Sequence, residues 1–117
     1  MSLVIHRVEE EHVAQIAVVA RVRVKPGRSD DYVAAFAPLL EQAQQEPGTL
    51  LYVVQRSDDD PDVFWTSEIY ADEAAFAAHR GSDVHAAATP VFTEVIAEAD
   101  VVKGQVVMGK GPLSPPK

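Results

Sequence analysis

His79 and His85 bring imidazoles, the side chains that change charge near neutral pH and so serve as bases, acids or metal ligands. They stand six residues apart across Gly81. That spacing is neither i,i+3 nor i,i+4, so they form no two-histidine metal pair on one helix, although a bend could still bring them together. Each also has a structural reading, for His79 as a helix-end residue near the last carbonyls. Glu68 stands in the run Val63 to Tyr70, which is otherwise aromatic, β-branched or small. A carboxylate buried there costs several kcal/mol unless it is paired or protonated. Two roles suit it: an ion pair with Arg21, Arg23 or Arg56, or a functional part, orienting His79 or taking a phenolic proton. Tyr52, Tyr70, Phe36, Phe64, Phe76 and Trp65 offer flat apolar surface for an aromatic ligand, and would serve equally as core or subunit interface.

Other chemistry is excluded by what is absent. There is no cysteine, which removes disulfides, thiol catalysis, iron–sulfur clusters and every zinc site built on thiolates. The glycines at 27, 48, 81, 104, 109 and 111 form neither G-x-G-x-x-G nor a P-loop, so no flavin or nucleotide cofactor is expected. Asp58, Asp60 and Asp62 alternate as in a calcium loop. The sixth and twelfth places of that pattern hold Val63 and Ile69 instead of glycine and glutamate, which predicts a solvated turn and no metal. An oxidation without cofactor would have to draw its electrons from the substrate.

The elements that position these residues follow from periodicity. Ile16, Val18, Ala20, Val22 and Val24 alternate with Val19, Arg21 and Arg23, which predicts a half-buried strand. Pro26-Gly27 ends it, and Ser29-Asp30-Asp31 suggests a helix cap. Tyr32, Phe36, Leu39 (or Leu40) and Ala43 mark an amphipathic helix, with Pro38 predicting a kink or two abutting pieces. Glu46-Pro47-Gly48 is read as a helix stop followed by a turn that favours glycine. Strands over Leu50–Arg56 and Val63–Tyr70 flank the acidic turn and predict an antiparallel hairpin. Asp72 caps a helix to Arg80, Gly81 breaks it, and Ser82 starts another to about Glu98 that Pro90 interrupts. A last strand is expected over Asp100–Met108, with Gly104 as a bulge.

The chain has 117 residues, 47% of them hydrophobic, which suits one globular domain. Its expected parts are an arm over residues 1–13 carrying His6 and His12, a domain over 14–109, and a flexible tail over 110–117. The order β-α-β-β-α-β predicts an α+β, ferredoxin-like fold, a four-stranded antiparallel sheet with helices on one face. Residues two apart share a face, so Trp65 points away from Glu68. Large apolar residues on both faces of the hairpin predict a homodimer joined through the open face. A net charge of −8 makes nucleic acid and anionic membranes poor partners. With no apolar run near the roughly 20 residues of a membrane span and no basic-then-apolar leader, the expected location is the cytoplasm.

Glu46-Pro47-Gly48-Thr49-Leu50-Leu51-Tyr52, then Glu68-Ile69-Tyr70-Ala71-Asp72-Glu73-Ala74-Ala75-Phe76-Ala77-Ala78-His79, then Ser82-Asp83-Val84-His85 stand in one register. In these motifs the chain resembles the antibiotic biosynthesis monooxygenase family of dimeric α+β barrels, over roughly residues 14 to 109. The resemblance implies that barrel and a choice of activities: cofactor-free oxygenation of quinols or anthrones, heme degradation, isomerisation of small metabolites, or ligand binding without turnover. The heme-degrading members use an Asn, a Trp and a His. Trp65 and His79 are present, but the chain has no asparagine, so that activity is not expected. The expectation is a cofactor-independent monooxygenase acting on an aromatic substrate and O2. His79 with Glu68 is its base system, and Tyr52, Tyr70, Phe76, His85 and Phe36 hold the substrate.

Overall fold

The computed structural model describes residues 14–111. The elements are β1 (Ile16–Val24), α1 (Ser29–Ala35), α2 (Ala37–Ala43), β2 (Thr49–Arg56), β3 (Val63–Tyr70), α3 (Glu73–Arg80), α4 (Asp83–Val95) and β4 (Ile96–Gln105). The strands form one sheet in the order β2-β3-β1-β4, with every neighbouring pair antiparallel. This is the ferredoxin-like α+β arrangement that the element order predicts. The arm with His6 and His12, and residues 112–117 of the tail, lie outside the described residues. Among those described, no helix is long and apolar enough to cross a membrane.

The alternation in β1 sets the two faces of the sheet. Ile16, Val18, Ala20, Val22 and Val24 are buried beneath the helices. The core joins Val22 and Val24 to Tyr32 of α1, Phe36 at the junction of the first two helices, Leu39 of α2, Phe64 from β3, and Ala88 and Val95 from α4. A smaller cluster of Ile16, Val18 and Tyr70 receives Ala75 and Phe76 of α3. On the opposite face, register places Val19 beside Ser67 and Val102, and Trp65 beside Arg21 and Gln55. Val19, Val53 and Trp65 remain exposed there. Trp65 and Glu68 do face opposite ways.

Of the two outcomes expected at Pro38, the structure has the two abutting pieces, because Pro38 sits in the first turn of α2, where its missing N–H costs nothing. Several other local expectations change. Ser29 caps no helix: α1 begins at Ser29 after Arg28, and the Ser29 hydroxyl instead donates to Asp62 at 2.9 Å. Pro90 lies within a continuous α4 rather than interrupting it. That helix ends at Val95, and β4 starts at once at Ile96, earlier than the expected Asp100. Gly104 is no bulge; it pairs regularly with Ala17, and the register shift falls between Arg23 and Val24. Asp72 caps as expected, accepting from the backbone N–H of Ala75 at 2.8 Å, and Ser82, expected as the first helical residue, caps α4 by accepting from His85 N–H at 3.1 Å.

Candidate functional site

The Glu46-Pro47-Gly48 turn explains how the centre of the molecule is assembled. Gly48 does not have a positive φ, so the conformational freedom expected of it is not what the position uses. A Cβ at Gly48 would overlap the Ala75 methyl. Glycine facing alanine thus lets the turn press against α3, and the Gly48 carbonyl also accepts from Ala71 N–H at 2.8 Å. Ala75 and His79 are one helical turn apart on the same face. The approach at Ala75 therefore brings Glu46 to His79, whose Nδ1 lies 2.9 Å from Glu46 Oε1.

His79 is 2% exposed, so this is a buried pair. Glu46 also accepts from Thr49 Oγ1 at 2.8 Å and from Gln42 Nε2 at 3.3 Å. Burial pushes its carboxyl up, but the hydrogen bonds from His79 and Thr49 outweigh this and hold it below the ordinary carboxylate range. An ionised carboxylate only accepts, so Nδ1 of a neutral His79 carries the proton, and Nε2 keeps its lone pair. Among the described residues the hydrogen bond of this ring is the one between Nδ1 and Glu46.

Rings surround this imidazole. Tyr52 and Tyr70 stand 5.1 and 5.3 Å from it, centroid to centroid, and His85 stands 5.7 Å away. The two histidines converge because Ser82 ties their backbones. Its hydroxyl donates to the His79 carbonyl and accepts from His85 N–H, each at 3.1 Å. Burial first, then the charges of Arg80 and His79, lowers the pKa of His85, so it favours the neutral form. Phe36 reaches Tyr52 at 6.3 Å. Phe76 packs behind Tyr70 at 5.4 Å, with the Lys103 ammonium 4.8 Å from its centroid, and lies outside the ring of groups around His79.

Glu68 does not orient His79, and among the described residues it pairs with none of Arg21, Arg23 or Arg56. Arg23 turns to Asp60 at 2.8 Å. Glu68 instead accepts a short hydrogen bond from the Tyr70 hydroxyl, with Thr66 Oγ1 at 3.5 Å. The pleat explains this, since Thr66, Glu68 and Tyr70 lie on one face at steps of two. Burial, followed by the Glu68 charge, raises the pKa values of Tyr52 and Tyr70, and pushes Tyr32 up to about 12. All three phenols keep their protons. The Tyr70 proton is committed to Glu68, whereas the Tyr52 hydroxyl has no partner among the described residues.

The space between helices and sheet is thus filled by side chains rather than open. Clefts lie around it. One of about 280 Å³ is walled by Val33, Phe36, Leu40, Val54 and Phe64, with Arg56 and Gln55 completing its lining. A second of about 250 Å³ runs from Leu40 past Thr49 to Tyr52. A third of about 390 Å³ lies between Glu46-Pro47-Gly48 and the alanines of α3. Among the described residues, no group of three or more His, Asp or Glu is placed to hold a metal.

Glu46 is the residue that sequence reasoning missed. In the sequence it is part of a helix stop, and its signal is position at the head of a motif whose glycine touches another element.

Residues 15–90 match the antibiotic biosynthesis monooxygenase family. Among solved structures, a Caulobacter crescentus CB15 protein provisionally named an antibiotic biosynthesis monooxygenase is 27% identical, with a TM-score of 0.76 over 88% of this chain and 99% of its own. A Shewanella oneidensis protein is 27% identical, with a TM-score of 0.75 over 81% of this chain and 93% of its own. A Nitrosomonas europaea protein, provisionally named as the first is, superposes with a TM-score of 0.77 over 86% and 97% of the two chains; at 22% identity it speaks for the fold alone. No curated protein matches. With the family matched over most of the described residues and the same architecture in these neighbours, the chain belongs to the antibiotic biosynthesis monooxygenase family.

Proposed function

We propose that this protein is a cofactor-independent monooxygenase, working as a homodimer, that oxidises a phenol, quinol or anthrone-like aromatic substrate with O2, with His79 as its base. The observation that carries the reading is the buried His79–Glu46 pair lying against two protonated tyrosines. It replaces the pairing of His79 with Glu68 that the sequence suggested.

The chemistry needs a base, a dry surrounding and a donor for developing negative charge. Nε2 of His79 takes a proton from the activated carbon of an anthrone-like substrate. The anion gives one electron to O2, and the radical pair joins through a carbon–oxygen bond. The resulting peroxide anion recovers the proton from the imidazolium. Loss of the remaining C–H proton with cleavage of the O–O bond then leaves a carbonyl and releases water. Glu46 holds the imidazole and balances its charge, and the Tyr52 hydroxyl donates to the oxyanion. Because His79 is buried, the reading requires the Tyr52 ring, which walls a cleft, to move aside as substrate enters. The exposed Val19, Val53 and Trp65 on the open sheet face form the dimer contact.

Oxygen uptake with a panel of quinols and anthrones tests the proposal. Uptake that matches product formation, and that His79→Gln lowers by about 10²- to 10⁴-fold, is the expected result. Conversion that proceeds without oxygen would replace it with an isomerase using the same base. Binding without turnover across the panel would leave a ligand-binding dimer.

A further inference from the structure

We propose that the cleft walled by Phe36 and Phe64 is a binding site for an aromatic ligand carrying an anionic group, held by Arg56. Five of its lining residues are apolar, Val33, Phe36, Leu40, Val54 and Phe64, and about 280 Å³ suits a ligand of two fused rings. Arg56 is the cation of this cleft. It pairs in register with Phe64, which places both side chains on the helix face rather than the open sheet face. Its guanidinium carbon lies 5.0 Å from the centre of the Phe64 ring, so stacking holds the charge against the wall.

Arg56 has no acidic partner among the described residues. Arg23 and Arg28 each have two and Lys103 has one, while Arg21 and Arg80 also lack one but do not line this cleft. In a chain of net charge −8, an arginine stacked at an apolar cleft without a carboxylate is a site for an anion supplied from outside. A neutral aromatic would fill the walls and leave the guanidinium unused. A carboxylate on the ring edge would use both.

Side chains connect the cleft to the proposed reaction centre: the Phe36 ring stands 6.3 Å from Tyr52, and Tyr52 stands 5.1 Å from His79, centroid to centroid. A ring anchored by its anion at Arg56 would direct its far edge along this line. That this ligand is the substrate rests on the oxygenase reading above; the binding site itself does not.

The test uses the whole protein and two probes of equal shape, 1-hydroxy-2-naphthoate and its neutral carboxamide, titrated by probe fluorescence. The acid should bind roughly fivefold or more tightly than the amide, as a charge-assisted contact requires. Added salt should narrow the gap, Arg56→Gln should close it, and Arg56→Lys should keep part of it. Thermal melts confirm that each variant is folded. Equal affinities in the wild type, a gap that survives Arg56→Gln, or no binding of either probe would overturn the proposal. Binding with the expected gap, but no oxygen uptake on any quinol, would count against the oxygenase reading and leave this site standing.

Discussion

Nδ1 of His79 and Oε1 of Glu46 stand 2.9 Å apart across 33 residues of sequence, in the buried layer between α3 and the end of α2. The carboxylate reaches that position because Gly48 and Ala75 are both small enough to touch. The hydrogen bond fixes the tautomer, so the imidazole presents a lone pair on its other nitrogen. The predictions below follow from this pair and its surroundings.

Removing the imidazole should cost more than a helix-end residue would. His79→Ala opens a cavity and strips Glu46 of its main partner, so urea unfolding should show a loss of about 2–4 kcal/mol. His79→Gln, which fills more of the space, should lose less. If the enzyme reading holds, both should lower turnover by about 10²- to 10⁴-fold. A loss below about 0.5 kcal/mol for His79→Ala would be that of a surface residue.

Acid should weaken the fold partly through Glu46. Its folded pKa is lowered, so the unfolded chain binds more protons in the acid range. The stability it contributes is present above the ordinary carboxylate pKa and is lost as pH falls through the lowered folded value. Melting temperatures from about pH 6 to about pH 3 should therefore fall less steeply for Glu46→Gln, which cannot titrate. Parallel curves would mean that Glu46 plays no part in the acid transition.

Steric contact at residue 48 gives a paired test. Gly48→Ala should destabilise by about 1–3 kcal/mol through overlap with the Ala75 methyl. Adding Ala75→Gly should recover much of that loss, because it removes the opposing carbon. Were backbone conformation the reason for glycine, the second change would recover nothing.

Tyr70→Phe leaves Glu68 with Thr66 as its hydrogen-bond partner among the described residues. A loss of about 1–3 kcal/mol is expected, the cost of stranding a half-buried carboxylate. Combining it with Glu68→Gln should cost clearly less than the sum of the two single losses. Strict additivity would show that the two side chains act independently.

Dimerisation has a direct probe on the open sheet face. Trp65→Asp places a charge among Val19, Val53 and their neighbours, far from His79, and should shift sedimentation from dimer to monomer. An obligate interface of this kind buries more than about 2,000 Å². A wild-type monomer at micromolar concentration would end the dimer proposal.

The sequence by itself determined the faces, the order and most of the ends of the elements. Strict alternation from Ile16 to Val24 settles which face of β1 is buried, since a pleated strand leaves no other choice. Asp72 and Ser82 announce their helices because a cap is a local hydrogen bond, closed within three residues. Even the Tyr70–Glu68 contact was implicit in residues two apart on one strand. The passage from α4 to β4 was not legible: Val95 and Ile96 suit either element, and no glycine or proline separates them.

The choice of carboxylate beside His79 belongs to the tertiary structure. In the sequence Glu68 stands out on a strand dense in aromatics, whereas Glu46 reads as the end of a helix. A hydrogen bond between distant residues depends on where two elements are held, and no local pattern encodes that distance. Contact of Gly48 with Ala75 sets the distance here, so the pairing of Glu46 with His79 exists only once α3 has packed against the turn.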